Sequence, residues 1–309
     1  MRIGMVGLGR MGANMTRRLA AGGIEVVAFD TSEAARAALA QVPRVATVER
    51  LGAMVEALAA PRVVWLMLPS GAISESSIAA LSALLARGDL LVDGANAFYK
   101  DSVRRAGELA ARGIDFVDAG VSGGIWGLEN GYALMVGGSD DAFARLRPLV
   151  EILAPAKDRG WMHCGPVGSG HFVKMVHNGI EYGMMQSYAE GLALIAAKRE
   201  FGIDIAAVSE SWRHGSVVRS WLLDLIAEAL ARDTSLEEIK PIVADSGEGR
   251  WTAREAVELG VPAPVMSLAL MMRFASQGSN DYPAKLVALM RAGFGGHAIQ
   301  HNTPQGASD

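Results

Sequence analysis

The chain opens on "MRIGMVGLGRMG", an apolar run that meets Gly7, Leu8, Gly9, Arg10, Met11 and Gly12 just before a helical stretch from about Met11 to Ala21. No other short pattern limits the fold as much. A G-x-G-x-x-G set between a strand and a helix serves a tight turn, close approach of a ligand to backbone N–H groups, and close packing of helix on strand. The next strand, "EVVAFD", ends at Asp30, roughly 20 residues on, where a carboxylate can accept hydrogen bonds from an adenosine ribose. The same charge repels a 2'-phosphate. NAD is therefore the expected cofactor and NADP the less favoured one, with Arg10 in the turn and Arg36 in the next helix as nearby cations. Leu68, near the end of "RVVWLMLP", and Asn96, in "LLVDGAN", complete the expected cofactor set at further strand ends.

The first half alternates such runs with Ala-rich stretches, among them a helix from Ser32, "SIAALSALLARG" and "SVRRAGELAARG"; "DFVDAGVSG" and "YALMVGG" supply later strands. This βαβ alternation predicts an α/β fold, an N-terminal Rossmann-type doubly wound sheet. Beyond Cys164 the strand signal fades. Helical periodicity over residues 168–200, 205–231 and 261–277 predicts a mostly α-helical C-terminal domain. Clustered Gly and Pro in "HCGPVGSG" set the boundary. The expected domains are 1–166 for the dinucleotide, 167–298 for substrate and dimerisation, and a frayed tail over 299–309.

With 309 residues, half of them hydrophobic, the chain can bury a sizeable core. Its net charge of -4 argues against nucleic acid or an anionic membrane as partner and leaves a small anionic molecule possible, since a site needs only local positive charge. The single cysteine, Cys164, forms no intrachain disulfide and fits a reducing compartment. "MRIGMVGLG" lacks the features of a signal peptide, and "VVWLMLP" and "VMSLALMM" fall far short of the ~20 apolar residues of a membrane span. These features predict a soluble cytoplasmic protein. His163 beside Cys164 lacks metal-ligand spacing, so no metal is expected. His171 and His214 suit packing or capping.

In "GHFVKMVHNGIEYG", Lys174, His177, Asn178 and Glu181 recur at i, i+3, i+4 and i+7. On a helix they share one face, amid Phe172, Val173, Met175, Val176 and Ile180. Such a stripe faces either a polar cleft or plain solvent, and spacing alone does not choose. Ser122, Gly123 and Gly124 follow a strand end, where backbone N–H groups and a hydroxyl suit a carboxylate or hydroxyl group. Asn96 offers amide donors and an acceptor to cofactor or substrate.

Together "GLGRMGANM", "DAGVSGGIWGLENG", "GHFVKMVHNGIEYGMMQ" and "GEGRWTA" resemble the decarboxylating 6-phosphogluconate dehydrogenases, within the β-hydroxyacid dehydrogenase group. The resemblance covers nearly the whole chain and is to the short form of that family, which lacks a second helical repeat. It implies Lys174 as general base and later acid, Glu181 as second acid, and Asn178 and His177 on the substrate. For the phosphate of a phosphorylated sugar acid it implies Tyr182 and Arg273, with Arg291 and His297 in a segment reaching a neighbouring subunit. A homodimer or homotetramer with shared sites follows. Longer members carry a lysine about where this chain has Ser246, and Arg250 is a possible substitute. Chemically, a buried neutral amine can take a proton from an alcohol during hydride transfer, and Glu181 suits protonation of the enediol carbon if it is held protonated. The competing readings are a non-decarboxylating β-hydroxyacid dehydrogenase, of 3-hydroxyisobutyrate or tartronate semialdehyde type, and a noncatalytic dinucleotide sensor.

Overall fold

The computed structural model describes residues 1–279 and 281–295. Contacts divide the chain into two compact units, Met1–Asn178 and the remainder from Gly179. In the first unit, strands β1 (Arg2–Val6), β2 (Glu25–Phe29), β3 (Val45–Val48), β4 (Val63–Leu66), β5 (Leu90–Asp93), β6 (Asp115–Ser122), β7 (Ala133–Gly137) and β8 (Trp161–Gly165) form one sheet. Their order is β3-β2-β1-β4-β5-β6-β7-β8. Between them lie α1 (Arg10–Ala21), α2 (Glu33–Ala37), α3 (Leu51–Glu56), α4 (Ala72–Leu84), α5 (Tyr99–Ala110), α6 (Gly127–Asn130) and α7 (Asp140–Leu153).

The central strands, such as β1, β4 and β5, are buried on both faces, which is why they read as apolar runs rather than alternating ones. Along β4, Val63 and Trp65 join one core with Ile3, Met5, Met15 and Leu149, while Val64 and Leu66 point into the other with Met54, Leu81 and Leu109. Each such fully buried side chain stabilises the fold by about 1.5–3 kcal/mol. The strand order reverses between β2-β1 and β4-β5, so the carboxyl ends of β1 and β4 flank the crevice where doubly wound sheets bind ligands.

The doubly wound expectation holds, with two additions. The edge strands β3 and β8 carry weak signals, because neither is fully buried. β7 runs antiparallel to β6, since residues 123–132 are too few for the crossover that a parallel neighbour requires.

The other helices are α8 (Ser169–Ala197), which runs through the division at Asn178, α9 (Ile205–Trp212), α10 (Trp221–Leu230), α11 (Glu248–Glu258), α12 (Pro264–Phe274) and α13 (Asp281–Gly295). The helical stretch expected over 205–231 breaks at Gly215, whose φ is +81°. Ser220 restarts it by accepting the Leu223 N–H at 3.2 Å. Arg213 ties the two pieces together, reaching Glu210 and Asp224 at 2.9 Å each. Tyr182, Ala269 and Leu270 form the core of α8 and α12 in this unit. Among the described residues no helix is long and apolar enough to cross a membrane.

One buried ion pair braces the sheet below the Asn96 loop. Arg105 on α5 reaches Asp93 Oδ2 at 2.7 Å, with the two side chains 1% and 0% exposed, and the other oxygen of Asp93 accepts the Ala95 N–H at 3.0 Å. Removing one partner of such a pair leaves an uncompensated buried charge. Arg105→Ala is expected to lower the unfolding free energy by about 3–5 kcal/mol, measured by urea unfolding; an unchanged midpoint would show that Asp93 finds another counter-ion.

Candidate active site

The glycine turn is built for a ligand. Gly7 has φ +91°, and a Cβ there would lie 2.5 Å from the Met67 carbonyl oxygen and 2.8 Å from Leu68 Cδ2; a Cβ on Gly12 would lie 1.9 Å from the Gly7 carbonyl oxygen. Both positions therefore require glycine. A Cβ on Gly9 would meet nothing within 4 Å, so open space adjoins the turn there. Gly9 is also the N-cap of α1 and provides no side-chain cap. The first-turn N–H groups of a twelve-residue helix thus lack a side-chain acceptor, the arrangement that suits a pyrophosphate. Leu8 and Gly12 are buried, Met11 is half-buried, and Arg10 is exposed.

Asp30 closes the turn against β2. Its Oδ2 accepts the Leu8 N–H at 2.6 Å and its Oδ1 the Ser32 N–H at 2.8 Å. Each oxygen keeps a lone pair for a ribose hydroxyl. Arg36 Nη1 rests on the Asp30 and Thr31 carbonyls at 2.8 and 3.2 Å. Asn96 is exposed just beyond β5. The residues present fit a dinucleotide.

The start of α8 is seated on β6 by a carboxylate and three close approaches. Asp118 is fully buried, and its two oxygens accept the Gly168 and His171 N–H groups at 2.6 and 2.7 Å. These N–H groups belong to the helix entry, which a carboxylate stabilises. Burial pushes the Asp118 carboxyl up, partly offset by His171 and by the N–H bonds. A Cβ on Gly120 would stand 2.4 Å from Lys174 Cβ; one on Gly137 would fall 2.7 Å from Gly170 N, and one on Gly170 2.6 Å from the Asp118 and Met135 carbonyl oxygens. Only glycines let helix and sheet come this close. His171 Nδ1 pairs with Ser102 Oγ at 2.7 Å, linking α8 to α5.

That seating buries Lys174, 8% exposed, and Asn178, 9% exposed. Of the four stripe residues, Lys174 and Asn178 are thus buried and His177 and Glu181 half-buried, so none is fully exposed to solvent. Lys174 Nζ donates to Asn178 Oδ1, His177 Nδ1 lies 3.2 Å from the same oxygen, and His177 Nε2 lies 3.4 Å from Ser122 Oγ at the end of β6. With Nδ1 protonated, the polar run from Ser122 to Lys174 is consistent: the serine donates to Nε2, and Nδ1–H and Nζ both donate to the amide oxygen. Gly123 and Gly124, with φ of +133° and +53°, continue from Ser122 into a 3-10 turn.

In the second unit, Glu181 is half-buried on α8, and Tyr182 beside it is buried. The Arg273 guanidinium lies 3.4 Å from the Tyr182 ring centroid and donates to the Ala244 carbonyl at 2.7 Å. The ring packs on the first turn of α11, where a Cβ on Gly249 would sit 2.5 Å from Tyr182 Cε2. Tyr182 Oη lies 3.3 Å from Ser246 Oγ, which donates to the buried Glu248 at 2.6 Å. Arg250 pairs with Asp245 and covers the Phe274 ring. Arg291 is exposed on α13, and His297 lies outside the described residues. A cavity of about 950 Å³, lined by Ile180, Met184, Tyr188, Val217 and Met266 among others, is mostly apolar and lacks the proton-carrying groups above. Among the described residues no group of three or more His, Cys, Asp or Glu is placed to hold a metal ion.

A doubly wound sheet with this glycine turn and terminal acid defines a dinucleotide-binding protein. Residues 2–165 match the model of the NAD binding domain of 6-phosphogluconate dehydrogenase, and residues 170–284 match that of the 6-phosphogluconate dehydrogenase C-terminal domain. The chain belongs to the 6-phosphogluconate dehydrogenase family. It is 40% identical to the NAD(+)-dependent, decarboxylating 6-phosphogluconate dehydrogenase of Haloferax volcanii, over 97% of this chain and 98% of that one. A longer relative, the decarboxylating enzyme of Bacillus licheniformis, is 35% identical over 91% of this chain and 63% of its own length. The Plasmodium falciparum 6-phosphogluconate dehydrogenase, solved apo, with NADP+ and with 6-phosphogluconate, superposes with a TM-score of 0.81 at 27% identity, over 99% of this chain and 67% of that one. A Salmonella typhimurium 3-hydroxyisobutyrate dehydrogenase shares the fold, with a TM-score of 0.73 at 22% identity over 90% and 95%.

Sequence reasoning missed Asp118, Gly120 and Glu248. The first two stand in "DAGVSGG", but the partners of Asp118 are backbone N–H groups, which leave no trace in residue identity. The position of Asp118 has a consequence for stability. Its raised carboxyl means that the folded state holds this proton more readily than the unfolded chain, so the group's contribution falls as pH rises above about 4. Asp118→Asn carries no charge to bury, although its single amide oxygen serves the two N–H groups less well. The stability of the variant relative to the unmodified protein is therefore expected to improve as pH rises from about 4 towards 7. Urea unfolding at several pH values measures this, and a pH-independent difference would contradict it.

Proposed function

We propose that this chain oxidises and decarboxylates 6-phosphogluconate to ribulose 5-phosphate and CO2, with NAD preferred over NADP. The observation that carries the proposal is the polar run Lys174–Asn178–His177–Ser122, buried at Lys174 and Asn178, at the carboxyl end of β6, together with the family's C-terminal domain. The relative from Haloferax volcanii is named as NAD(+)-dependent and decarboxylating. When bound, the nicotinamide ring supplies the hydride acceptor.

Lys174 takes the proton of the C3 hydroxyl as the hydride leaves that carbon. The contact to the Asn178 oxygen holds the amine of this buried side chain in one direction. The same Nζ, now protonated, polarises the ketone oxygen of the resulting β-keto acid as CO2 departs. Glu181, two turns along α8, protonates the enediol carbon. His177 and Asn178 hold substrate hydroxyls, and Ser122 with the Gly123 and Gly124 N–H groups receives the carboxylate. Asp30 discriminates against a 2'-phosphate by charge. Tyr182 and Arg273 hold the substrate phosphate, Arg being suited to bind two oxygens at once. The segment with Arg291 and His297 completes the site of a neighbouring subunit in a homodimer or homotetramer. The working division is 1–166 for cofactor and 167–298 for substrate and assembly, in a cytoplasmic enzyme.

Purified protein given 6-phosphogluconate and either cofactor is expected to release CO2 and reduced cofactor one for one, with kcat/KM for NAD exceeding that for NADP by about tenfold or more. Reduced cofactor without CO2 would point to a non-decarboxylating hydroxyacid dehydrogenase, and no turnover with any hydroxy acid to a sensor. In the same assay Asp30→Asn should narrow the preference; an unchanged ratio would overturn the role assigned to Asp30.

A further inference from the structure

Three charged side chains run inward from the surface of α4 to the end of β5. Arg105, 1% exposed, divides its guanidinium between two carboxylates. Its Nη1 donates to Asp93 Oδ2 at 2.7 Å, while Nη2 and Nε donate to Glu75 Oε1 at 2.7 and 3.2 Å. The other oxygen of Asp93 accepts the Ala95 N–H at 3.0 Å. The torsion that turns an aspartate carboxylate is soft, so a contact at one oxygen alone leaves its plane free. Contacts at both oxygens fix it, and Arg105 thereby commits Oδ1 to Ala95.

That peptide leads directly into Asn96. Gly94 before it is pressed against β4: its N–H donates to the Leu66 carbonyl at 2.9 Å, and a Cβ there would lie 2.5 Å from Trp65 Nε1. Ala95 and Ala97 are 3% and 4% exposed, and Asn96 between them is exposed. The direction of Asn96 therefore follows from the peptide that Asp93 holds. At the outer end, Glu75 stands in the first turn of α4, the helix that follows Leu68. Arg105 thus joins the connections leaving β4 and β5, one with Leu68 and the other with Asn96.

We infer that Arg105 is a positioning residue: through Asp93 it sets the direction of Asn96, and Glu75 holds it in place from α4. The inference rests on the reading of Asn96 as a contact of cofactor or substrate. Stability alone does not account for the pair, since replacing both partners of a buried ion pair by apolar side chains is often neutral or stabilising. A planar fork that engages two carboxylates at once supplies direction instead. Arg104, the preceding residue on α5, shares Glu75 Oε1 and has Glu108 at 2.9 Å on its own helix. It faces outward, 45% exposed, and leaves Asp93 to Arg105.

Calorimetric titration of the full chain with NAD, and separately with 6-phosphogluconate, tests this on Asn96→Ala, Arg105→Lys and the double variant. Arg105→Lys keeps a cation beside Asp93 and removes the fork. It is expected to weaken the same Kd that Asn96→Ala weakens, by about fivefold, and to change it by less than about twofold once Asn96 is alanine. Loss of folded protein alone lowers the binding stoichiometry and leaves Kd unchanged. Glu75→Ala, at a side chain 40% exposed, should weaken the same Kd by a smaller factor, so the test survives a folding defect at Arg105. An unchanged Kd in Arg105→Lys or in Glu75→Ala, or a loss of equal size with and without Asn96, would overturn the inference alone. Asn96→Ala with both Kd values unchanged, or no binding of either ligand by the unmodified protein, would remove the reading of Asn96 and the inference with it.

Discussion

The buried carboxylate of Asp118 decides where α8 begins, and the chemistry assigned to that helix depends on it. Its two oxygens collect N–H groups at the helix entry, and Gly120, two residues further along β6, leaves the gap that the Lys174 stem fills. A charge buried this completely opposes folding. It persists because the groups it satisfies would otherwise be unpaired in the same place, and an unmade buried hydrogen bond costs about 1–3 kcal/mol. The backbone seat fixes the first turns of the helix, and through them the direction of a lysine amine that is itself almost out of water.

The same economy of side chains marks the cofactor edge. Gly7 and Gly12 are required by contacts of their own backbone and neighbours, whereas Gly9 leaves space open. Asp30 braces the turn through the Leu8 N–H while keeping lone pairs for a ribose. Arg36 lies on the carbonyls of Asp30 and Thr31, so a cation stands beside the acid proposed to read the ribose. Under the proposed cofactor preference, these two neighbouring charges act in opposite senses on a 2'-phosphate, and the acid is the one bonded to the turn.

Much of this was legible in the sequence, and the limits have physical causes. The glycine turn, Asp30 and the stripe from Lys174 to Glu181 are local patterns, set by a turn or by a helical period, and they read correctly as elements. The choice between a buried and a solvated stripe was not local. It depended on Gly120, more than fifty positions before Lys174, and on a carboxylate whose partners are backbone groups. β7 was visible as a strand, but its direction follows from the length of the connection before it. The Tyr182–Ser246 contact spans 64 residues and joins two side chains with no shared period. His163, beside the lone cysteine, donates from Nε2 to the Gly138 carbonyl at 2.8 Å and stacks on Phe143.

Among these assignments the proton taken by Lys174 matters most. Rapid mixing of Lys174→Ala with 6-phosphogluconate and NAD, following reduced cofactor in a single turnover, isolates the hydride-transfer step from product release. Loss of the positioned base should slow that step by about 10²–10⁴-fold, while the Kd for NAD stays within about twofold. Reduction of the cofactor at close to the rate of the unmodified protein would mean that a group other than Lys174 takes the hydroxyl proton.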